Sequence, residues 1–246
     1  MKRIDSVEVW HTGPQGHRQL TGQLARNSRG AIGFTIDAGF LETGWRLSPF
    51  FLPQGEGPFV PRFEAGQERV FHGLFGLFAD SLPDAFGMAV ARRSVVQAGC
   101  EAGALELLSY IGEGGRGCLA YKPSLPEGDA EVEGLEEMFK EARSVAEGLE
   151  IDWANPLAHA MGTAGGTQPK VHCERFPDGT FRVRRSTAKA GKSVAGVVKF
   201  DCTGEFAGRI DHETKIEASY LEMARDCGLR VSEFELARAR GGIIWS

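Results

Sequence analysis

The sequence predicts an α+β protein: an amino-terminal β-rich subdomain with helices, followed by a second part that combines strands with a long helix. Three observations lead there. Short apolar runs separated by polar turns fill residues 4–36. Apolar positions at helical spacing recur from Phe71 to Leu149. A valine-rich strand at 194–200, carrying a lysine, is then followed by a helix from about 213 to 227.

The 246 residues suffice for one large or two ordinary domains. With 42% hydrophobic and 25% charged residues, the composition is that of a globular chain and not of a disordered or coiled-coil one. A net charge of −5 gives no support to non-specific nucleic-acid binding. No apolar run has the length of a membrane span, and the Met1-Lys-Arg-Ile-Asp-Ser start has no signal-peptide core. The expected location is cytoplasmic, with no membrane partner. The five cysteines (Cys100, Cys118, Cys173, Cys202, Cys227) and six histidines are dispersed, without CxxC, HxxxH or HxH spacing. Reduced structural thiols and no metal site are expected.

In order, Ile4 to Trp10, Leu20 to Leu24 and Ala31 to Ile36 read as three strands of an antiparallel sheet, separated by the Gly13-Pro14 and Asn27 to Gly30 turns. Leu41 to Pro53, with Trp45, Phe50 and Phe51, reads as an apolar loop covering the sheet edge; a binding surface is the alternative. Phe71, Leu74, Phe75 and Phe78 have near-helical spacing. Asp80 to Asp84 breaks it, and Pro83 stands near the start of a helix marked by Phe86, Val90 and Val95. Leu105, Leu107, Leu108, Tyr110 and Ile111 mark another, stopped by Gly112 to Gly115 before a strand at 117–121. Turn residues and charge at Pro123 to Asp129 mark the boundary, giving domains of residues 1–125 and 130–246. A helix from about Glu133 to Glu150 opens the second.

The second domain carries the chemistry. Gly162-Thr-Ala-Gly-Gly-Thr-Gln168 is small-chained, so its backbone amides can converge on an anion; taken alone it also reads as an ordinary turn. Thr163 is a candidate phosphorylation site on this loop. Ala190-Gly-Lys-Ser193 ends like a phosphate-binding P-loop, but Ser186 replaces the first glycine and a strand follows instead of a helix. In Val194 to Phe200, alternation puts Ala195, Val197 and Lys199 on one face. On the following helix Ile216, Tyr220, Leu221, Met223, Ala224 and Cys227 form a continuous apolar arc, with Glu217 inside it. A lysine on an apolar strand and a glutamate on an apolar arc each need a partner. The two are expected to pair; separate solvation is the alternative. Glycine loop, lysine strand and glutamate helix follow one another as in a protein-kinase amino-terminal lobe.

At these residues the chain resembles the HipA-like serine/threonine kinases of bacterial toxin–antitoxin systems, over nearly its whole length. Gly33 to Asp37 with Leu47-Ser-Pro49 is similar to the family's amino-terminal subdomain, and Phe78 to Asp84 with Gly87 to the helical motif after it. Ala164-Gly-Gly-Thr-Gln-Pro-Lys170 resembles the loop that covers ATP, Val197-Val-Lys-Phe200 the strand with the ATP-contacting lysine, and Glu217 to Ala224 the helix after it. The resemblance implies phosphoryl transfer from ATP with Mg2+ to a hydroxyl of a protein substrate. It implies ATP binding by Thr163, Ala164, Gly165, Gly166, Thr167, Gln168 and Lys199, with Glu217 orienting Lys199. It also implies a HipB-like helix-turn-helix antitoxin as partner, through which any contact with nucleic acid is indirect.

Two departures qualify this. Thr163 stands where the family has a regulatory serine. Gly241 to Ser246 falls where the family enters its hinge, so the resemblance places hinge, catalytic aspartate, metal ligands and carboxy-terminal lobe outside this sequence. No catalytic residue or metal ligand is therefore assigned, and the chain alone is expected to be inactive. A lobe-facing surface around Val197, Tyr220 and Ile243–Trp245 is then expected to be partly uncovered, to be met by a separately encoded carboxy-terminal lobe or by a homodimer. A catalytically silent, antitoxin-like interaction module or one half of a split kinase is the alternative function.

Overall fold

The computed structural model describes residues 1–13, 16–52, 55–115, 117–125, 134–147, 160–161, 168–183, 193–202, 212–239 and 241–245. The chain is α+β, with two antiparallel sheets. It divides into two compact units, one of Met1–Leu82 and Arg92–Pro126, the other of Pro83–Ala91 and Glu127–Ser246.

The first unit is built on β1 (Ser6–Thr12), β2 (Arg18–Arg26), β3 (Ile32–Ile36) and β4 (Leu119–Lys122), in the order β3-β2-β1-β4. Alternation sends Val7 and Val9 into the core with Leu24 and Phe34. The β1–β2 register shifts between Val9 and Trp10. There the Thr21 hydroxyl donates to the Val9 carbonyl, and the Thr21 carbonyl accepts from Asp37 N, while Gly22 takes φ +155°. The short helix α1 (Ala38–Glu42) is capped by Asp37, whose Oδ1 accepts from Phe40 N.

The partner of β3 is not the predicted apolar loop. Backbone bonds join Phe34 to Phe59 in both directions and Ile36 N to the Glu56 carbonyl, so the chain just downstream takes that position. Trp45, Phe50 and Phe51 are exposed instead (69%, 88% and 74%). The apolar run around Phe71 also differs from a single helix. It forms two single turns, α2 (Gln67–Val70) and α3 (Gly76–Ala79), because His72 and Gly73 adopt positive φ between them. Leu74 and Phe78 are still buried.

Helix α4 (Ala85–Gln97) is divided between the units, with Phe86 and Val90 in the core of the second. Helix α5 (Ala104–Ile111) is buried along its whole length, Glu106 included. Glu106 Oε2 accepts from Arg26 Nη2 at 2.6 Å and Oε1 from Ile4 N at 2.8 Å. Arg26 Nε in turn donates to the Ile4 carbonyl at 3.3 Å. One carboxylate thus ties together the amino-terminal segment, β2 and α5.

The second unit contains α6 (Leu135–Ala146), β5 (Lys170–Arg175), β6 (Phe181–Val183), β7 (Val194–Phe200), α7 (Glu213–Asp226), β8 (Glu235–Ala239) and β9 (Gly241–Trp245). Its five-stranded sheet runs β6-β5-β7-β9-β8. Met138 and Ala142 of α6 belong to one core cluster with Val171, Cys173, Phe181, Val198, Phe200, Cys202, Met161, Phe86 and Val90. Strands β8 and β9 were not legible in advance. The boundary segment 126–133, the end of the predicted helix at 148–150, Gly162 to Thr167 and the rejected P-loop at 190–192 lie outside the described residues.

Burial also sorts the cysteines. Cys100, Cys173 and Cys202 are buried, whereas Cys118 and Cys227 are exposed. Desolvation pushes the Cys173 and Cys202 thiols up to about 12. Since the thiolate is the reactive form, both should react with a disulfide reagent at neutral pH on the order of a thousand-fold more slowly than an ordinary exposed thiol. Two thiols should titrate rapidly, and Cys118→Ser with Cys227→Ser should remove that phase. Rapid reaction of a third would show that a core opens readily. Among the described residues, no helix is long and apolar enough to cross a membrane.

Candidate functional site

The two faces of the second sheet differ in character. Val171 and Cys173 of β5 and Val198 and Phe200 of β7 point into the core. The intervening positions therefore share the opposite face: Lys170, His172 and Glu174 on β5, and Ala195, Val197 and Lys199 on β7. The antiparallel register sets Lys170 directly opposite Lys199 and His172 opposite Val197. Directly opposed β-carbons lie about 4.5–5.5 Å apart, and like charges at that spacing disfavour the ladder. An anion between them removes that cost.

Lys199 Nζ donates to Glu217 Oε1, joining β7 to α7. The side chains retain 21% and 33% exposure, so the pair is neither sealed in the core nor a free surface contact. The predicted pairing of these two residues is present.

The orientation of α7 differs from the prediction. Thr214 and Ala218 are its buried residues, and Glu213, Glu217, Leu221 and Ala224 are half-buried beside them. Ile216, Tyr220 and Met223, from one side of the predicted arc, are exposed (46%, 67% and 51%). A polar clamp accounts for the difference. Asp201, directly after β7, accepts from Thr214 N through Oδ1 at 2.9 Å and from Thr214 Oγ1 through Oδ2 at 2.7 Å. It thus satisfies an amide in the first turn of α7 that the N-cap residue would ordinarily bond. The N-cap itself, His212, has φ +65° and makes no side-chain cap bond.

Of the remaining predicted residues, Thr163, Ala164, Gly165, Gly166 and Thr167 lie outside the described residues, including Thr163 as phosphosite. Gln168 is described; its Nε2 is enclosed and has no hydrogen-bond partner among the described residues. Sequence reasoning did not assign Lys170, Asp201 or Thr214. Lys170 ends the glycine run, but its opposition to Lys199 depends on strand register. Asp201 and Thr214 are 13 residues apart and match no local capping pattern.

The arrangement defines a class: a small antiparallel sheet with a lysine on its third described strand, held by a glutamate on the next helix. Residues 15–122 match the family model of the HipA N-terminal domain, so the chain carries a HipA-like amino-terminal portion. The match ends before Lys170, Lys199 and Glu217. No curated protein matches the chain.

Proposed function

We propose that the second unit is the phosphate-binding side of a HipA-type serine/threonine kinase. The observation that carries this reading is Lys199, bonded to Glu217 and directly opposite Lys170 on the sheet face away from the core. Kinases pair a third-strand lysine with a glutamate of the following helix, and that lysine binds nucleotide phosphates. Lys199 stands on the third described strand of the unit, and α7 comes next. The HipA-like portion preceding it supports the same reading.

ATP, when bound, supplies the phosphoryl group. Lys199 and Lys170 supply positive charge to its phosphates, and Glu217 keeps the Lys199 ammonium at a fixed height above the sheet. Gln168 fits the same ligand. An enclosed amide donor without an acceptor costs about 1–3 kcal/mol, and a phosphate or ribose oxygen would relieve that cost. The reading assigns no magnesium ligand to the described residues. A protein hydroxyl as acceptor and a HipB-like helix-turn-helix antitoxin as partner belong to the same proposal.

The test is a titration of ATP into 15N-labelled protein. Phosphate-side groups alone support a dissociation constant on the order of millimolar, near −4 kcal/mol. Shifts should centre on Lys170, Val198, Lys199 and Glu217, and Lys199→Met should abolish them. Shifts that persist unchanged in Lys199→Met, or no shifts at ten millimolar ATP, would overturn the reading.

A further inference from the structure

We propose that Asp201 and Thr214 are positioning residues. They set the rotation and height of α7 on the sheet, and so deliver Glu217 to Lys199. The functional meaning rests on the reading of Lys199 given above; the geometry does not.

The first argument is the face on which α7 sits. An amphipathic helix buries its apolar stripe by default. The apolar arc of α7 has its Ile216, Tyr220 and Met223 side exposed and its Ala224 and Leu221 side half-buried, while Thr214 and Ala218 are buried. At 100° per residue, Thr214 and Ala218 lie on the side of the helix nearly opposite Ile216, Tyr220 and Met223. Burial of the whole apolar arc therefore does not by itself set this orientation. A two-pronged bond between Asp201 and Thr214 opposes it, using both carboxylate oxygens, one backbone donor and one hydroxyl. The carboxylate also lies at the helix amino terminus, where negative charge is favoured.

The second argument is spacing. Asp201 lies two residues beyond Lys199, about 6.6 Å along an extended strand. Glu217 lies three residues beyond Thr214, about 4.5 Å along a helix and on the same face. Strand and helix are pinned at 201–214, and the next matching positions on the two elements are 199 and 217. The second contact follows from the first as adjacent rungs of one ladder. If the helix turned by one residue step to bury Tyr220, Glu217 would swing away from Lys199.

The test is a triple-mutant cycle on the full chain, read as unfolding equilibrium constants in urea. Lys199→Met, Glu217→Gln and their combination give the coupling factor of the pair, in the native background and in Asp201→Ala. In the native background the factor should be about five-fold, the ratio that corresponds to roughly 1 kcal/mol. In Asp201→Ala it should fall to about one. Should that background not fold, Thr214→Val, which keeps the backbone donor and loses only the hydroxyl, replaces it, and Thr214→Ser should restore the coupling. Iodination of Tyr220 should slow in the same backgrounds as the helix turns inward. A stability loss with an unchanged coupling factor would reduce Asp201 to an ordinary helix cap and overturn the proposal. So would a factor of one in the native background. No nucleotide enters the measurement, so failure of ATP binding leaves its outcome untouched.

Discussion

Glu106→Ala should lower the unfolding free energy of the first unit by about 3–5 kcal/mol, the range for breaking a buried ion pair from one side. The Glu106 side chain is fully buried and Arg26 is 13% exposed, so deletion strands a nearly desolvated guanidinium. It also removes the acceptor of Ile4 N. Against a total stability of about 5–15 kcal/mol, that loss is severe. Arg26→Met combined with Glu106→Leu should recover most of it, because replacing both charges of a buried pair is often neutral or stabilising. Recovery should stop short by the cost of the unbonded Ile4 amide, about 1–3 kcal/mol. Urea melts, with hydrogen exchange of the β1 and β2 amides to localise the effect, provide the measurement. A loss under 1 kcal/mol in the single variant would mean that the pair behaves like a surface contact.

Gly22→Ala should be about as damaging, for a different reason. A β-carbon at Gly22 would lie 2.1 Å from the Thr35 carbonyl oxygen, 2.7 Å from Phe34 Cζ and 3.0 Å from Ile36 Cα. Two of those atoms are backbone of the paired strand β3 and cannot rotate aside. Strain at φ +155° costs about 1–3 kcal/mol, and overpacking of a tight core about as much again. The expected loss is about 2–6 kcal/mol, a large share of a total stability of about 5–15 kcal/mol. Gly30→Ala is the control. It also has positive φ (+83°), but nothing lies within 4 Å of the added carbon, so only about 1–2 kcal/mol of backbone cost applies. Equal losses for the two variants would show that the backbone conformation, and not the clash, is decisive at Gly22.

Much of the architecture was legible because local pattern and final environment agree. Alternation in Val194 to Phe200 gave the strand and its lysine-bearing face, and the helical period gave α4, α5 and α7 within a few residues. The Lys199–Glu217 pair could be inferred because each charge stood among apolar neighbours. Other features depended on distant partners. Glu235 to Ala239 reads Glu-Leu-Ala-Arg-Ala, a composition of good helix formers, and becomes a strand only by pairing with β9. The seating of α7 was misjudged because its apolar stripe was visible and the Asp201 carboxylate that opposes it was not. Gly22 was passed over as a strand residue, although an isolated glycine in a strand is a recognised mark of a bulge. Glu106 was passed over within an apolar helix, where one charge among leucines was itself a signal of a buried partner.

Shared ownership of the helix Ala85–Gln97 bears on how this protein can be inherited. The chain passes between its two units three times, at Leu82–Pro83, Ala91–Arg92 and Pro126–Glu127. A fragment ending at Pro126 would keep Phe86 and Val90 but lose the rest of their core, leaving an apolar helix end uncovered. A fragment beginning at Glu127 would have a void where those side chains sit. Recombination that gave this amino-terminal half a new second half would therefore succeed only if the newcomer offered a cavity shaped for the same phenylalanine and valine. The two halves of the sequence are thereby joined as units of evolution.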